Sequence, residues 1–351
     1  MKISQNKVVS LLVVLVLLLG LSPVVVMANA PAFSYGDVFA SVSNGQAYHY
    51  SSAGVYLETL DDGLGGYTTG SAFDAAGNFY MTNFSNTKVT KFDRNFPHNI
   101  LQVIDTAAQS PGGHSESIFF DLSGNFYVGH ASGNRDIHKY DAAGSFIEKY
   151  DVPINPLGRG SDWIVLAADQ KTMFYTSLYR GIRRYDVSAK TSMADFATLP
   201  GPGVAYAFRL LPGDGLIVAD TYDIKRLNPD GTVNMTYDAP GQDCWFALNR
   251  DPDGTSFWSG DYCTGNITKF DIATGAVLMT IDTGVGSDAL FGLSVFGEKT
   301  EGGPQPEPEP VEVGGTIYPV NKLAMLAPWI SLVAVLILGT ILALNRRRVR
   351  S

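Results

Sequence analysis

The sequence is poor in the residues that build the common catalytic and metal sites. Only two cysteines and five histidines occur among 351 residues. Two lone cysteines cannot make a zinc site, and no His or Cys cluster has metal-ligand spacing. A G-x-S-x-G nucleophile turn and a phosphate-cradling glycine loop are also missing. These absences exclude the familiar hydrolase, zinc and nucleotide-binding signatures.

A second absence concerns helices, because no stretch between 35 and 298 carries a helical hydrophobic stripe. That region instead repeats one phrase: DAAGNFYMTN at 74–83 and DLSGNFYVGH at 121–130. A triplet of basic, aromatic and acidic residues follows each copy and recurs, in strong or weak form, six times. Its last residue falls at positions 51, 93, 141, 186, 228 and 271. A repeat of 40–50 residues is typical of propeller blades and solenoids.

Within each repeat, hydrophobic residues alternate with small or polar ones, as a half-buried strand requires. The D-x-x-G elements between these runs are tight-turn signals. Each repeat therefore reads as about four short antiparallel strands. A β-sandwich also has many short strands but does not need one phrase at constant spacing. The sequence predicts an all-β, six-bladed β-propeller over residues 31–298.

The last strand-like segment indicates how the ring closes. DALFGLSVFGE at 288–298 resembles the opening strand of a repeat that has no continuation. The chain before the first marker has room for strands at 37–44 and 47–50 but not for an innermost strand. We therefore expect 288–298 to pair with the N-terminal strand, which leaves no open sheet edge.

GLIVADTYDIKRLNPDG at 215–231 and GNFYVGHASGNRDIHKYDAAG at 124–144 resemble the NHL-type repeat. The wider six-bladed group includes gluconolactonase-like and virginiamycin-lyase-like propellers, and the resemblance implies their fold. Gluconolactonase-like enzymes hold a divalent metal with a Glu, two Asn and an Asp, whereas the loops of this chain read HSE, SDW, QDC and SDA. The lyase-like proteins use a His–Glu pair near Mg²⁺, which His114 and Glu116 could imitate. The surrounding pattern differs, so neither activity is carried over.

The two ends of the chain predict export and membrane attachment. Residues 1–30 are typical of a secretory signal peptide, with an uncleaved signal anchor as the alternative. Residues 299–322 form a Pro/Glu/Gly-rich linker, and 323–345 contain an apolar run long enough to span a bilayer. The basic tail at 346–351 places the propeller on the extracytoplasmic side of the cell membrane. A tail removed during maturation is the alternative.

The part predicted to be exported has few basic residues. It holds 34 acids against 18 bases, a formal charge of −16, since the two ends contain seven of the 25 Lys and Arg. Such a surface disfavours nucleic acid. Cys244 and Cys263 flank the DPDG turn of one blade, so a disulfide between them is expected in an exported protein. Two free thiols are the alternative.

Four acids are predicted to stand just before inner strands, on the loops that enter the central channel: Glu116, Asp162, Asp243 and Asp288. Three interpretations stay open. A ring of carboxylates suits Ca²⁺ or Mg²⁺. Crowded carboxylates raise one another's pKa and can supply a general acid or base. Each acid could instead hold a tight turn through backbone hydrogen bonds.

Polar residues that follow second strands are predicted to share this face of the propeller. Together with polar residues of the entering loops, they are candidates for binding a ligand: His114, His130, Arg159, Arg180, Asp220 and Asp261. The predicted function is a cell-surface module that recognises an extracellular protein, a glycan or a small molecule. The alternatives are a divalent-metal-dependent hydrolase or lyase and a structural envelope protein.

Overall fold

The computed structural model describes residues 32–156, 158–300 and 302–303. These residues form 25 β-strands arranged in six antiparallel sheets, and no α-helix occurs among them. The sheets are the blades of a propeller. The all-β, six-bladed prediction is confirmed.

Each blade runs from an inner strand at the channel to an outer strand at the rim. Blades 1 to 3 contain, in that order, β4 (Thr68–Phe73), β5 (Phe79–Asn83), β6 (Lys88–Phe92), β7 (Ile100–Asp105); β8 (Ser115–Phe120), β9 (Phe126–His130), β10 (Ile137–Tyr140), β11 (Phe146–Tyr150); β12 (Ile164–Leu166), β13 (Thr172–Tyr175), β14 (Gly181–Asp186), β15 (Thr191–Ser192) and β16 (Ala197–Thr198). Blades 4 to 6 contain β17 (Ala205–Leu210), β18 (Leu216–Asp220), β19 (Asp223–Leu227), β20 (Val233–Tyr237); β21 (Trp245–Arg250), β22 (Ser256–Asp261), β23 (Asn266–Asp271), β24 (Val277–Asp282); β25 (Leu290–Val295), β1 (Val38–Val42), β2 (Gln46–Tyr50) and β3 (Tyr56–Asp61).

The ring closes through the two ends of the folded chain, as predicted. β25 is the inner strand of blade 6 and pairs antiparallel with β1, with Val38 opposite Val295. Each inner strand contacts the next in the closed series β4, β8, β12, β17, β21 and β25, and β25 contacts β4 again. Pairing of the first and last strands removes the exposed inner edge that an open ring would have.

The repeated sequence phrase builds the hairpins of each blade. In blade 1, Asp74 Oδ1 accepts a hydrogen bond from the Asn78 amide, and Gly77 has the positive φ of 83° that the turn needs. Lys91 Nζ lies 3.1 Å from Asp74 Oδ2 and 5.0 Å from the Tyr80 ring centroid. Blades 2 and 5 repeat this arrangement with Asp121 and Lys139 over Tyr127, and with Asp251 and Lys269 over Trp258. The repeated sequence phrase therefore stabilises the hairpins of the blades and does not mark a functional site.

The inner strands approach one another so closely that small residues are required. A Cβ atom on Gly292 of β25 would overlap the Thr69 carbonyl oxygen of β4, and one on Gly70 would lie 2.5 Å from Ser117 Cα. Hydrophobic side chains fill the spaces between successive blades, and Phe33, Phe39, Phe79 and other rings pack between blades 6 and 1. The core is thus divided among the blade interfaces.

Within the described residues, no helix is long and apolar enough to cross a membrane. The predicted signal peptide at 1–30, most of the linker at 299–322, the predicted spanning segment at 323–345 and the tail at 346–351 lie outside the described residues.

Candidate functional site

Five of the six inner strands carry a β-bulge near their first residue. The register slips at Thr69–Gly70, Glu116, Tyr206–Ala207, Phe246 and Phe291, where the inner strand has one residue more than its neighbour. A bulge re-aims the side chain of the extra residue. These positions all lie on the face where loops enter the inner strands, which we call the upper face. In four blades the bulge thus presents a large side chain at the upper mouth of the channel: Glu116, Tyr206, Phe246 and Phe291.

An ion-pair cluster occupies one side of this mouth. Arg159 Nη2 donates to Glu116 Oε2 at 2.6 Å, and Arg159 Nε donates to Asp162 Oδ1 at 3.2 Å. The Glu116 and Asp162 side chains are almost fully buried, whereas the Arg159 side chain is 36% exposed. The guanidinium lies 5.4 Å from the Phe84 ring centroid. We call Glu116, Arg159 and Asp162 the arginine cluster.

Burial controls the protonation of this cluster. Burial raises the pKa of the Glu116 carboxyl, although the Arg159 charge and hydrogen bond oppose the shift. Burial also raises the pKa of Asp162 to about 8; Arg159 opposes that shift and the neighbouring Glu116 charge adds to it. Both carboxyls therefore have raised pKa values and share one guanidinium, so the pair as a unit retains a proton near neutral pH.

The other side of the mouth is lined by aromatic rings, which we call the aromatic belt. Successive centroid distances are 4.7 Å for Tyr67–Phe291, 5.5 Å for Phe291–Tyr262, 6.0 Å for Tyr262–Phe246 and 4.7 Å for Phe246–Tyr206. Trp163 completes the belt with an edge contact to Phe246 at 5.7 Å. Tyr67 is 50% exposed, and the other rings except Trp163 are half-buried. The belt is a continuous apolar wall that solvent can reach.

Two buried polar atoms at the junction of belt and cluster make no well-formed hydrogen bond among the described residues. They are Asp162 Oδ2 and Trp163 Nε1, although the Leu178 backbone amide also interacts with the Asp162 carboxyl. Asp162 is 1% exposed and Trp163 is 4% exposed. Buried polar atoms normally have hydrogen-bond partners, and each exception calls for an explanation. A polar group of a ligand that reached this junction could therefore form hydrogen bonds with both buried atoms.

The predicted disulfide is confirmed and supports the belt. Cys244 and Cys263 are bonded, with a Cα–Cα distance of 5.5 Å. Cys244 lies two residues before Phe246, and Cys263 directly follows Tyr262. The bridge therefore joins the loop that leads into β21, where Phe246 lies, to the loop that carries Tyr262. Asp261, a predicted ligand-binding residue, instead accepts hydrogen bonds from the backbone of Cys244 and Thr264 and so stabilises these loops.

Of the two histidines predicted for this face, only His114 reaches the site. His114 is half-buried, stacks on Phe84 at 4.3 Å and contacts Ser132 Oγ through Nδ1 at 2.9 Å. Burial and the Arg159 charge lower its pKa. His130 lies inside blade 2, fully buried against His138, and burial lowers its pKa to about 3. His130 is thus a neutral core residue.

Arg180 and Asp220 lie on the upper face but do not join the cluster. Arg180 Nη1 donates to the Gly201 carbonyl at 2.8 Å. Asp220 is buried and receives a 2.5 Å hydrogen bond from Lys225. Both side chains therefore have partners within the surrounding loops.

The four predicted channel acids do not form one ring. Glu116 and Asp162 meet at Arg159, whereas Asp243 and Asp288 are exposed on separate loops. Among the described residues, which include all four, no three His, Cys, Asp or Glu side chains are grouped so that they could hold a metal ion. The cluster does not fit a resident Ca²⁺ or Mg²⁺, because the Arg159 guanidinium already lies against both carboxylates.

The opposite, lower mouth of the channel is covered by the chain that follows β25. Glu298 accepts hydrogen bonds from Arg209 Nε at 2.9 Å and Asn249 Nδ2 at 2.6 Å. Farther on, the Gly302 carbonyl accepts one from Gln170 Nε2 at 2.8 Å. The cavity beside this segment measures about 40 Å³, which leaves room for no more than a few water molecules. An organic ligand therefore has access from the upper face.

The sequence pattern points to the residues of the arginine cluster but not to the aromatic belt. Three of the six belt rings, Tyr206, Phe246 and Phe291, nevertheless share a local pattern, because each bulged side chain is followed by a small residue. The pairs are Thr69-Gly70, Glu116-Ser117, Tyr206-Ala207, Phe246-Ala247 and Phe291-Gly292. The repeat phase places these pairs at equivalent positions. Tyr67, Tyr262, Trp163 and Phe84 lack this signal, since they lie in loops.

Comparison with known proteins supports the fold. No family model matches the chain, and no curated protein is similar to it in sequence. A chain in a nidogen/laminin complex matches with a TM-score of 0.58 and 14% identity, covering 74% of this chain and 98% of that one. A protein of unknown function from Bacteroides caccae matches with a TM-score of 0.57 and 10% identity, covering 75% of this chain and 99% of that one. A streptogramin B lyase matches with a TM-score of 0.51 and 14% identity, covering 73% of this chain and 85% of that one. The protein is thus a six-bladed propeller whose solved neighbours include both lyase-like and binding propellers.

Proposed function

We propose that the protein is an exported recognition module that binds its ligand at the upper mouth of the channel. The observation that carries this proposal is the aromatic belt facing the arginine cluster. An apolar, largely aromatic wall beside a few convergent polar groups is typical of ligand sites. A purely structural channel would need neither solvent-reachable rings nor buried polar atoms without a well-formed hydrogen bond at its mouth.

The position of the mouth supports a role in recognition at the cell surface. At the lower face, residues 298–300 and 302–303 cover the channel. If the predicted segments at 1–30 and 323–345 direct export and anchor the chain, the propeller is exposed to the surroundings of the cell. The upper mouth then opens on the opposite face, where a glycan, small molecule or protein of the surroundings can reach it.

The test is a binding screen on the full chain with turnover followed in parallel. Oligosaccharides, peptides, lactones and aromatic compounds are added separately, thermal stabilisation reports binding, and mass spectrometry reports conversion. We expect stabilisation by one class without conversion, and loss of that stabilisation in the Phe246→Ala variant. Stabilisation that Phe246→Ala and Arg159→Met both leave intact would place the ligand elsewhere and contradict the proposal.

A second candidate, acid–base catalysis, has a specific observation in its favour. Asp162 is buried beside Glu116 with a pKa of about 8, so it can hold and release a proton near neutral pH. One solved neighbour is a streptogramin B lyase, but a likeness at 14% identity concerns the fold alone. Catalysis requires that the Asp162→Asn variant still binds its ligand but no longer converts it. Absence of conversion by the wild-type chain on the bound class would remove this candidate.

A further inference from the structure

We infer that the ligand of the upper mouth is an uncharged carbohydrate, bound as a short oligosaccharide with its sugar rings against the aromatic belt. This inference rests on the proposed function and names the chemical class that the site would take. Three features lead to it: the length and tilt of the belt, the polar atoms at its end, and the charge balance of the cluster.

The belt has the dimensions of an extended ligand. From Tyr67 to Tyr206 its rings follow one another at centroid distances of 4.7–6.0 Å and turn by 42–58° between neighbours. Such spacing is comparable with the size of one pyranose ring. The electron-rich face of an aromatic ring attracts the partly positive C–H groups on the face of a sugar. A belt of several rings therefore suits several sugar units better than a single small molecule.

The polar end of the belt suits hydroxyl groups. Asp162 Oδ2 and Trp163 Nε1 are buried without a well-formed hydrogen bond among the described residues, and the Arg159 guanidinium is 36% exposed. The indole is a donor only, the guanidinium is a donor only, and a protonated carboxyl can donate or accept. A hydroxyl can also donate or accept, so one sugar ring can satisfy this mixed set. A peptide or aromatic compound offers fewer such groups.

The charge balance favours an uncharged ligand. Arg159 contacts both carboxyls, whose pKa values are raised, so one guanidinium and a pair that retains a proton near neutral pH leave the cluster with little net charge. Exposed Asp288 lies beside the belt residue Tyr262, and the part of the chain predicted to be exported carries a formal charge of −16. An acidic sugar would be repelled by this surface. An amine would find no unpaired carboxylate in the cluster, because Arg159 already contacts both carboxyls.

The experiment titrates the full chain with defined tetrasaccharides by isothermal calorimetry. Neutral probes are cellotetraose, maltotetraose and chitotetraose, and a tetragalacturonate is the charged counterpart. We expect at least one neutral probe to bind at least tenfold more tightly than tetragalacturonate. Phe246→Ala and Tyr67→Ala should each weaken that binding about tenfold or more, and Phe246→Trp should restore most of it. Tyr67 is half exposed, so its variant keeps the fold even if Phe246→Ala does not.

The matched control is Tyr222→Ala, which removes a tyrosine that is 53% exposed, lies on the same face and makes no ring contact with the belt. It should change affinity by less than twofold. No binding of any neutral probe, together with belt-dependent binding of a peptide or aromatic compound, overturns the carbohydrate inference but leaves the proposed function intact. If every probe binds and the belt variants leave its affinity unchanged, both the carbohydrate inference and the proposed function are overturned. Tighter binding of the galacturonate than of every neutral probe also overturns the inference.

Discussion

Arg159 Nη2 lies 2.6 Å from Glu116 Oε2 and joins a loop of blade 3 to the inner strand of blade 2. The same guanidinium reaches Asp162 through Nε, so one cation serves two buried carboxyls. Removing one partner of a buried pair is costly because the other group keeps its charge without compensation. The arginine cluster therefore links the stability of the mouth to its chemistry.

Arg159→Met should destabilise the protein by about 2–4 kcal/mol at pH 8. This is somewhat less than the roughly 3–5 kcal/mol for breaking a fully buried ion pair, because solvent partly screens the Arg159 charge. The loss should be smaller at pH 5. Both carboxyls already have raised pKa values, so they can take up protons in the folded state when the guanidinium is gone. Urea unfolding at the two pH values measures this. Arg180→Met, which removes a loop contact, should cost less than about 0.5 kcal/mol. Equal losses for Arg159→Met at both pH values would contradict the account.

A buried histidine near the ring closure should give a second pH dependence. His49 Nε2 lies 2.9 Å from Asp37 Oδ2 and Nδ1 lies 3.0 Å from Glu58 Oε1; His98 Nε2 also lies 3.0 Å from Glu58. Burial lowers the pKa of His49, but hydrogen bonds to the two acids outweigh this effect and raise it. Burial raises the pKa of Glu58, but its hydrogen bonds to the two histidines lower it to about 2.

The two opposite pKa shifts stabilise the fold in different pH ranges. A raised histidine pKa contributes stability that is fully present below the unfolded value of about 6.5 and is lost as pH rises through the folded pKa. The lowered Glu58 pKa contributes stability that is present above the unfolded value and is lost as pH falls through about 2. His49→Gln should therefore cost more at pH 6 than at pH 9. The measurement is the wild-type minus variant difference in unfolding free energy, which cancels the pH dependence of Asp162. A difference that grows with pH would refute the assignment.

Close approach of the inner strands predicts an unusual sensitivity to one methyl group. Gly292→Ala would place its Cβ against the Thr69 carbonyl and should cost on the order of 3 kcal/mol, because backbone atoms on both sides must move. Gly181→Ala is the matched control, since no heavy atom lies within 4 Å of its added Cβ. That change should range from neutral to about 1 kcal/mol stabilising. Thermal unfolding compares the two, and similar melting temperatures would mean that the inner strands can move apart at little cost.

Removing the disulfide should lower both the stability of the fold and the affinity of the site for its ligand. Its two cysteines are 19 residues apart, so the Cys244→Ser/Cys263→Ser double variant should lose about 3 kcal/mol. Binding at the belt should weaken as well, because the bridge fixes the start of β21, which carries Phe246, against the loop that carries Tyr262. Denaturant unfolding and ligand titration of the double variant check both effects. Unchanged binding would show that blade 5 holds these loops without the bridge.

The architecture could be predicted because it depends on local, repeated signals. The turn at Asp74 and its partner Lys91 recur at nearly constant spacing, and the leftover strand at 288–298 has one geometrically sensible partner in β1. The disulfide could be predicted for the same reason, because Cys244 and Cys263 flank the DPDG turn of one hairpin. Each of these inferences needs only neighbouring residues and the number of repeats.

The site could be predicted only in part, because it depends on register at the bulges. Glu116 and Asp162 meet, but Asp243 lies in the loop three residues before Phe246, which has the bulge position that Glu116 has in blade 2. His130 has the sequence position of a loop residue but is the last residue of β9, buried against His138. Belt residues such as Tyr206 resemble ordinary strand aromatics along the chain. Only the assembled ring brings them together.

The most direct test of the account is to map which tyrosines the ligand contacts, whatever the chemical class of the ligand. The full chain is labelled with 3-fluorotyrosine, and the ¹⁹F resonances of Tyr67, Tyr206, Tyr262, Tyr179 and Tyr222 are assigned by single Tyr→Phe variants. On addition of the ligand found in the screen, the resonances of Tyr67, Tyr206 and Tyr262 should shift or broaden, while those of Tyr179 and Tyr222 stay in place. Shifts confined to Tyr179, Tyr222 or a tyrosine of the outer strands, with the belt unaffected, would contradict the claim that the upper mouth is the binding site.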